Sequence, residues 1–389
     1  MQITPRNEPI SRTIEDPLLS WMQRYRRNLH RIPELGFDLP RTHAYVRSTL
    51  ESLGYTVEVV ARSGIVAVRQ GIQAGAVAFR ADMDALSIQE SARVGMSRHN
   101  GAMHACGHDG HMAALLGLAR VMASRERPQK SVVFIFQPAE ETAGGAEAII
   151  HAGVLERYHI EAIYGMHLYP GLAEETIGVR EGILMGQDGE FDVQLTGRSS
   201  HGAQPHLGVD ALAAGAELLT RYRTLPETIL PHAREGVLNV GTIHGGEARN
   251  VVGGSARLSG MLRSFDEENF DALVEGMHAI DRDVEARHGV HIDSTIRRLF
   301  PPVVNDSELY RTLIDTVDMS AIVHPEPLLL AEDFAYYQQR IPGLFFLLGT
   351  KNDEEGLHAP LHSPAFDFNE RVLLRAVEVF LRLARAHGV

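Results

Sequence analysis

The chain has 389 residues, with 37 Lys and Arg against 50 Asp and Glu, a formal net charge of −13. This length suggests two domains, and the acidic balance disfavours a nucleic-acid partner, which would need a basic face. One Cys excludes a disulfide scaffold, the 44% hydrophobic and 22% charged content is that of a soluble globular chain, and the 20 His residues carry meaning only if they cluster.

Taken in chain order, residues 1–17 (MQITPRNEPISRTIEDP) hold neither an apolar run nor a small-residue cleavage site, so no secretory leader is expected. No stretch reaches 18 apolar residues, so no membrane span or membrane partner is expected either. The lone Cys suits a reducing compartment, and the expected location is the cytoplasm. Residues 18–30 and 42–53 carry apolar positions at helical spacing, with Gly54 as a stop. Short β-branched or apolar runs follow at 57–60, 65–68 and 77–79. A helical stretch at 111–122 precedes a strand at 131–136, and another at 145–151 precedes a strand at 162–166. This alternation predicts an α/β domain whose sheet is covered by helices.

The texture changes near Leu184. Residues 190–196 (EFDVQLT) alternate with period two, as a half-buried strand does. A helix is expected at 211–222, strands at 237–243 and 256–263, a long helix at 267–287 and a strand at 291–296. The order β-α-β-β-α-β fits a small α+β domain with one antiparallel sheet. After residue 298 come a helix, a strand at 344–348 and a helix at 370–387. The expected organisation is a catalytic α/β domain with a mixed sheet, built from residues 1–185 and 298–389, and an inserted smaller domain at 186–297.

The densest polar segment is MHACGHDGHM, residues 103–112, with three His, an Asp and the only Cys. Cys106 and His108, one Gly apart in a loop, can converge on a divalent metal. QPAEE, residues 137–141, puts two carboxylates at the carboxyl end of a strand, where open α/β sheets place ligand sites. Adjacent side chains diverge, so one Glu can hold metal while the other handles a proton. As a helix-start pair they would instead favour the helix dipole. FRADMD supplies Asp82 and Asp84, GMHLYP supplies His167, and LHSP supplies His362. Cys106, His108, one Glu, His167 and His362 make five ligands. This exceeds the four of a closed tetrahedral site and suggests two metals sharing the thiolate, with the second Glu as general base. That equipment suits amide hydrolysis.

Together the segments RRNLHRIPELGF, FRADMDAL, MHACGHDGH, QPAEE, MHLYP, SSHGAQPHLGVDA, EDFAYY and HSPAFDFNE resemble, in order, the dinuclear-metal amidohydrolases of the aminoacylase and carboxypeptidase type. Within that family the chain is similar to the hippurate hydrolases and indole-acetyl-amino-acid hydrolases. The resemblance implies that Cys106 bridges two divalent ions (Zn, Mn, Co or Ni), that His108, Glu141, His167 and His362 complete their shells, and that Glu140 is the base. It implies an orienting role for Asp84. It also implies that the inserted domain forms a homodimer, offers His201 to the oxyanion in the partner's site, and reaches substrate through Asn250. Arg263 is a candidate for a substrate carboxylate or for a surface ion pair, and Asp333 for a helix cap. His104 and His111 are candidates to brace the loop. The chain departs from the family pattern at Ser87, at 142–143 and at Gly253, which bears on the pocket loops and spares the ligands. The expected activity is cleavage of an N-acyl amino acid to a carboxylic acid and a free amino acid. The alternatives are a dinuclear dipeptidase or aminopeptidase, which would need a pocket for a free amino terminus, and a non-catalytic metal-binding relative, which would have lost the base or a ligand.

Overall fold

The computed structural model describes residues 12–91, 101–142, 144–230, 232 and 235–389. Most of the segment read for a leader lies outside them. The elements in chain order are helices α1 (Arg12–His30) and α2 (Pro40–Ser52), strands β1 (Val57–Val60), β2 (Gly64–Arg69) and β3 (Ala76–Asp82), helix α3 (His108–Ala123), strand β4 (Ser131–Gln137), helix α4 (Gly145–His151) and strand β5 (Ile160–Ala173). Then come β6 (Gln187–Thr196), β7 (Ser200–His201), α5 (Ala211–Ile229), β8 (Gly236–Gly245), β9 (Val251–Val252), β10 (Ser255–Ser264), α6 (Glu267–His288) and β11 (His291–Arg298). The chain closes with α7 (Ser307–Thr316), β12 (Gly343–Lys351) and α8 (Val372–Ala386). It divides into two compact units, one of Met1–Leu184, Val304–Glu326 and Asp333–Val389, the other of Met185–Val303 and Pro327–Glu332. Among the described residues no helix is long and apolar enough to cross a membrane.

The first unit is built on a mixed sheet in the order β1-β2-β4-β3-β5-β12, continued by the short pieces Ile177–Gly178 and Ile322–Val323. The four central strands β4, β3, β5 and β12 run parallel, so their carboxyl ends lie on one edge. Successive strand residues face opposite sides of a sheet, yet all of β3 is buried, so both faces are covered. Charge inside such a strand must be paired, a demand that falls on Arg80. Helix α3 is buried on nearly every side, wedged between the sheet, α1 and α8. Its small residues allow this: a Cβ at Gly117 would meet the Met22 sulfur at 2.5 Å.

The second unit has the sheet order β8-β10-β6-β11, all antiparallel. Along β6 buried residues alternate with more open ones, the period-two pattern predicted for 190–196. Phe191, Val193 and Leu195 pack with Leu218 and Tyr222 of α5 and with Phe270 and Met277 of α6. Each helix starts on an aspartate cap. Asp210 accepts from the N–H groups of Leu212 and Ala213, and Asp266 from that of Asn269. The mixed sheet and the separate β-α-β-β-α-β body are the architecture the sequence predicts.

Candidate metal centre

Three strands and two loops bring the candidate side chains of the first unit together. The thiol of Cys106 lies 3.3 Å from His167 Nε2 and 3.3 Å from His362 Nε2. His108 Nε2 is 3.8 Å from Glu141 Oε1 and 4.0 Å from Glu140 Oε2, and His362 Nε2 is 3.4 Å from Glu141 Oε1. The donor atoms thus form overlapping groups: Cys106 with His108 and His167, Cys106 with Glu141 and His362, and His108 with the two glutamates.

Local backbone explains the convergence. Gly107 is in the left-handed region at φ 87°, which turns the chain between Cys106 and His108 and starts α3. Two non-glycine residues of the site share that region, Ala139 at φ 55° and His362 at φ 62°. Such conformations cost of order 1–3 kcal/mol each and persist where the surroundings over-determine them. For Ala139 the surroundings include Gly145, where any Cβ would sit 1.8 Å from the Pro138 carbonyl oxygen. For His362, its own N–H donates to the Ala105 carbonyl at 2.9 Å, pinning it to the cysteine loop.

Two of the three candidate ligand imidazoles are oriented by their far nitrogen. His108 Nδ1 donates to the Asp84 carbonyl at 2.8 Å and His167 Nδ1 to the Leu168 carbonyl at 2.8 Å, turning both Nε2 atoms toward the site, His167 with its lone pair free and His108 with a proton that a cation would displace. The Asp84 carboxylate accepts from the N–H groups of Glu140 and Glu141, at 3.0 and 3.1 Å, and so sets the turn that presents both glutamates. His111 donates from Nδ1 to Asp82 at 2.7 Å and accepts at Nε2 from the Leu168 N–H at 3.0 Å, so it braces rather than ligates. His104 is buried with neither ring nitrogen partnered, and burial pushes it down to about 3.

The sequence reading missed the brace behind the site. Arg80 donates to Asp82 at 2.7 Å, to Gln137 at 2.9 Å and to Asp333 at 2.6 Å. Asp333 also accepts from Gln137 and, at 2.9 Å, from the Ala146 N–H in the first turn of α4. The helix that follows it, Ala335–Gln338, has no side-chain cap, so Asp333 does not play the expected capping role there: its carboxylate is turned to Arg80, Gln137 and the start of α4 instead. An arginine within the apolar run AVAFRAD is the signal that could have exposed this network.

The electrostatics favour added positive charge. Burial would lower His108, but Asp82, Asp84 and Glu141 around it win and lift it to about 10. Burial, then Glu141, Glu140 and Asp82, push the Cys106 thiol well up. Burial holds His167 down at about 3, neutral and fit to ligate. His108 Nε2 and Glu141 Oε1 are buried without hydrogen-bond partners. Unpartnered N and O donor atoms beside a thiol, facing one another in a carboxylate-rich pocket, fit divalent cations.

The remaining candidates lie in the second unit. The pairing of β7 with β9 sets His201 opposite Val251, and the Gly202 N–H donates to the Asn250 carbonyl at 2.7 Å, so His201 and Asn250 are neighbours, both exposed. Arg263 stands near the far end of β10, a strand of 10 residues that spans about 30 Å. Its guanidinium donates to the Leu329 carbonyl at 2.7 Å and lies 3.7 Å from Asp188. The structure does not bring Arg263 together with the other two.

Comparison with known proteins places this geometry in context. Residues 78–386 match the model of peptidase family M20/M25/M40. An uncharacterized hydrolase of Staphylococcus aureus (strain USA300) is 33% identical over 374 residues, covering 94% of this chain and 97% of that one. The crystal structure of the Bacillus subtilis YXEP protein, described as a dinuclear metal binding peptidase from the M20 family, superposes with a TM-score of 0.83 at 31% identity, covering 96% of this chain and all of that one. A crystal structure from methicillin resistant Staphylococcus aureus reaches a TM-score of 0.86 at 28% identity, covering 96% and 97%.

Proposed function

The chain belongs to peptidase family M20/M25/M40 and is a metal-dependent hydrolase of amide bonds; within that class we propose that it cleaves N-acyl amino acids to a carboxylic acid and a free amino acid. The observation that carries the reading is the convergence of Cys106, His108, Glu141, His167 and His362, with Glu140 beside them. These five would hold two divalent cations, with the cysteine shared. When bound, the ions would polarise the amide carbonyl and acidify water.

The chain's own residues do the rest. Glu140, 6% exposed, takes the proton of the attacking water and returns it to the departing amine nitrogen. Asp84, through the backbone N–H groups of both glutamates, keeps Glu140 and Glu141 apart in role. On the sequence motif alone, His201 is assigned to the oxyanion in the partner subunit of a homodimer, the second unit serving as dimerisation domain. Asn250 is assigned to the substrate, with Arg263 as the second candidate for its carboxylate. A cytoplasmic location belongs to the same reading.

The test is a panel of N-acetyl, N-benzoyl and N-indoleacetyl amino acids against plain dipeptides, with metal-reconstituted protein. Hydrolysis of acyl amino acids in preference to dipeptides is expected. Preference for dipeptides would transfer the site to the peptidase reading, and inertness to both would overturn it.

A further inference from the structure

Helix α1 lies before the part of the chain that matches the family model. It carries two buried ionisable side chains on its inner face, Arg26 at 2% exposure and His30 fully buried. Leu18, Met22 and Leu29 of the same helix are already buried against the core, so apolar packing suffices to dock it. A buried ion cluster is weak evidence of a purely stabilising purpose, because its attractions are set against a desolvation cost. What this cluster does add is position.

Arg26 Nε donates to Asp109 Oδ2 at 2.7 Å, Nη2 to Asp367 Oδ1 at 2.7 Å, and Nη1 to Glu370 Oε1 at 3.4 Å. The guanidinium also lies over the Phe368 ring, 4.3 Å from its centre. His30 Nδ1 contacts the same Asp109 oxygen at 2.8 Å, and Nε2 contacts Glu90 at 3.2 Å. Asp109 follows His108 at the start of α3, and residues 367–370 follow His362. One planar side chain therefore ties together the two segments that supply opposite sides of the centre. The Ala105–His362 backbone hydrogen bond closes the same loop from within.

We propose that α1 is a positioning element of the metal centre: Arg26, with His30, holds Asp109 and residues 367–370 so that His108 and His362 face each other across Cys106. The proposal rests on the ligand assignment made under the proposed function. The planar fork is what the task requires, since it can grip two carboxylates at fixed angles where a lysine offers only a point charge.

Zn²⁺ titrated into the full-length, chelator-stripped protein, in competition with a chromophoric chelator, tests it. Outer contacts to metal ligands are typically worth 10–100-fold in affinity. Arg26→Met should weaken Zn²⁺ binding at least about tenfold, and Arg26→Lys should recover only part of the loss. Should Arg26→Met not fold, Asp367→Asn alters a side chain 27% exposed and should weaken binding by roughly threefold to tenfold. In a His362→Ala background, Asp367→Asn should have no further effect, because the contact works through that ligand. Variants that melt earlier in the stripped form but bind Zn²⁺ as tightly as wild type would overturn the proposal. Wild-type protein that takes up no Zn²⁺ would overturn the ligand assignment and the clamp with it, a result distinct from unchanged affinity in the variants.

Discussion

The two units hold most of their candidate residues in opposite ways, His362 with its 52% exposed side chain being the exception in the first. At the carboxyl edge of the first sheet, His108, His167, Glu140 and Glu141 are buried or nearly so, and three of the four ring or backbone anchors described for them run to Asp84. In the second unit His201 and Asn250 are exposed, and Arg263 is held by a carbonyl of its own unit. A buried donor set is pre-organised: its groups are oriented at the moment of folding, and little reorganisation is left for the reaction. An exposed residue keeps its rotamer freedom and is ordered by what it meets. Substitutions at Glu140 or Asp84 of the buried set should therefore cost orders of magnitude, and one at Arg263, held by its own carbonyl contact, a small factor.

Glu140→Gln should show the largest effect. Turnover should fall by roughly 10³-fold, within the usual range for a general base, while metal analysis finds the same content as wild type. A variant within tenfold of wild type would remove Glu140 from the proton-transfer role. Asp84→Asn comes next. Its amide oxygen can accept one of the two N–H bonds the carboxylate accepts, and activity and metal affinity should drop together by about 10–100-fold.

The third effect is on stability. Burial opposes charge on His30, yet Asp109 and Glu90 beside it hold it at about 9. A group raised in the fold stabilises it fully below its ordinary value near 6.5, and that contribution is lost as pH climbs through 9. In chelator-stripped protein His30 should account for a loss of up to roughly 3 kcal/mol over this window, read by denaturant unfolding, and His30→Asn should make the profile shallower, with the likewise raised His108 keeping part of the slope. A wild-type profile already flat between pH 6.5 and 9 would dissolve the contrast between the units on this point.

Arg263→Ala should give the smallest effect, a KM rise of about threefold at constant kcat. Its lost hydrogen bond to Leu329 should cost about 1 kcal/mol of stability. A change confined to melting temperature would assign Arg263 wholly to that contact.

Much of this was legible in the sequence where the signal was local. The period-two run of residues 190–196 and the β-α-β-β-α-β order carried the second sheet, and the crowding of ligand types in MHACGHDGHM marked the loop that the structure places at the centre. Three kinds of feature escaped. The strands at 177–178 and 322–323 are too short to show any period. The braces are non-local: Arg80 meets Asp333 253 residues on, and Arg26 meets Asp367 341 residues on. A charged residue in an apolar run announces that it has a partner without naming it. The left-handed turns at Ala139 and His362 escaped for a different reason, since neither residue type advertises that conformation.

The distance in sequence between Cys106 and His362, 256 residues, has a meaning in time. At about 5–20 residues per second of synthesis, His362 leaves the ribosome roughly 10–50 s after the thiol it must face. During that interval the growing chain carries the thiol with an incomplete set of the proposed donors. On the proposed ligand assignment the completed pocket belongs to the finished polypeptide, so full metal loading would follow translation.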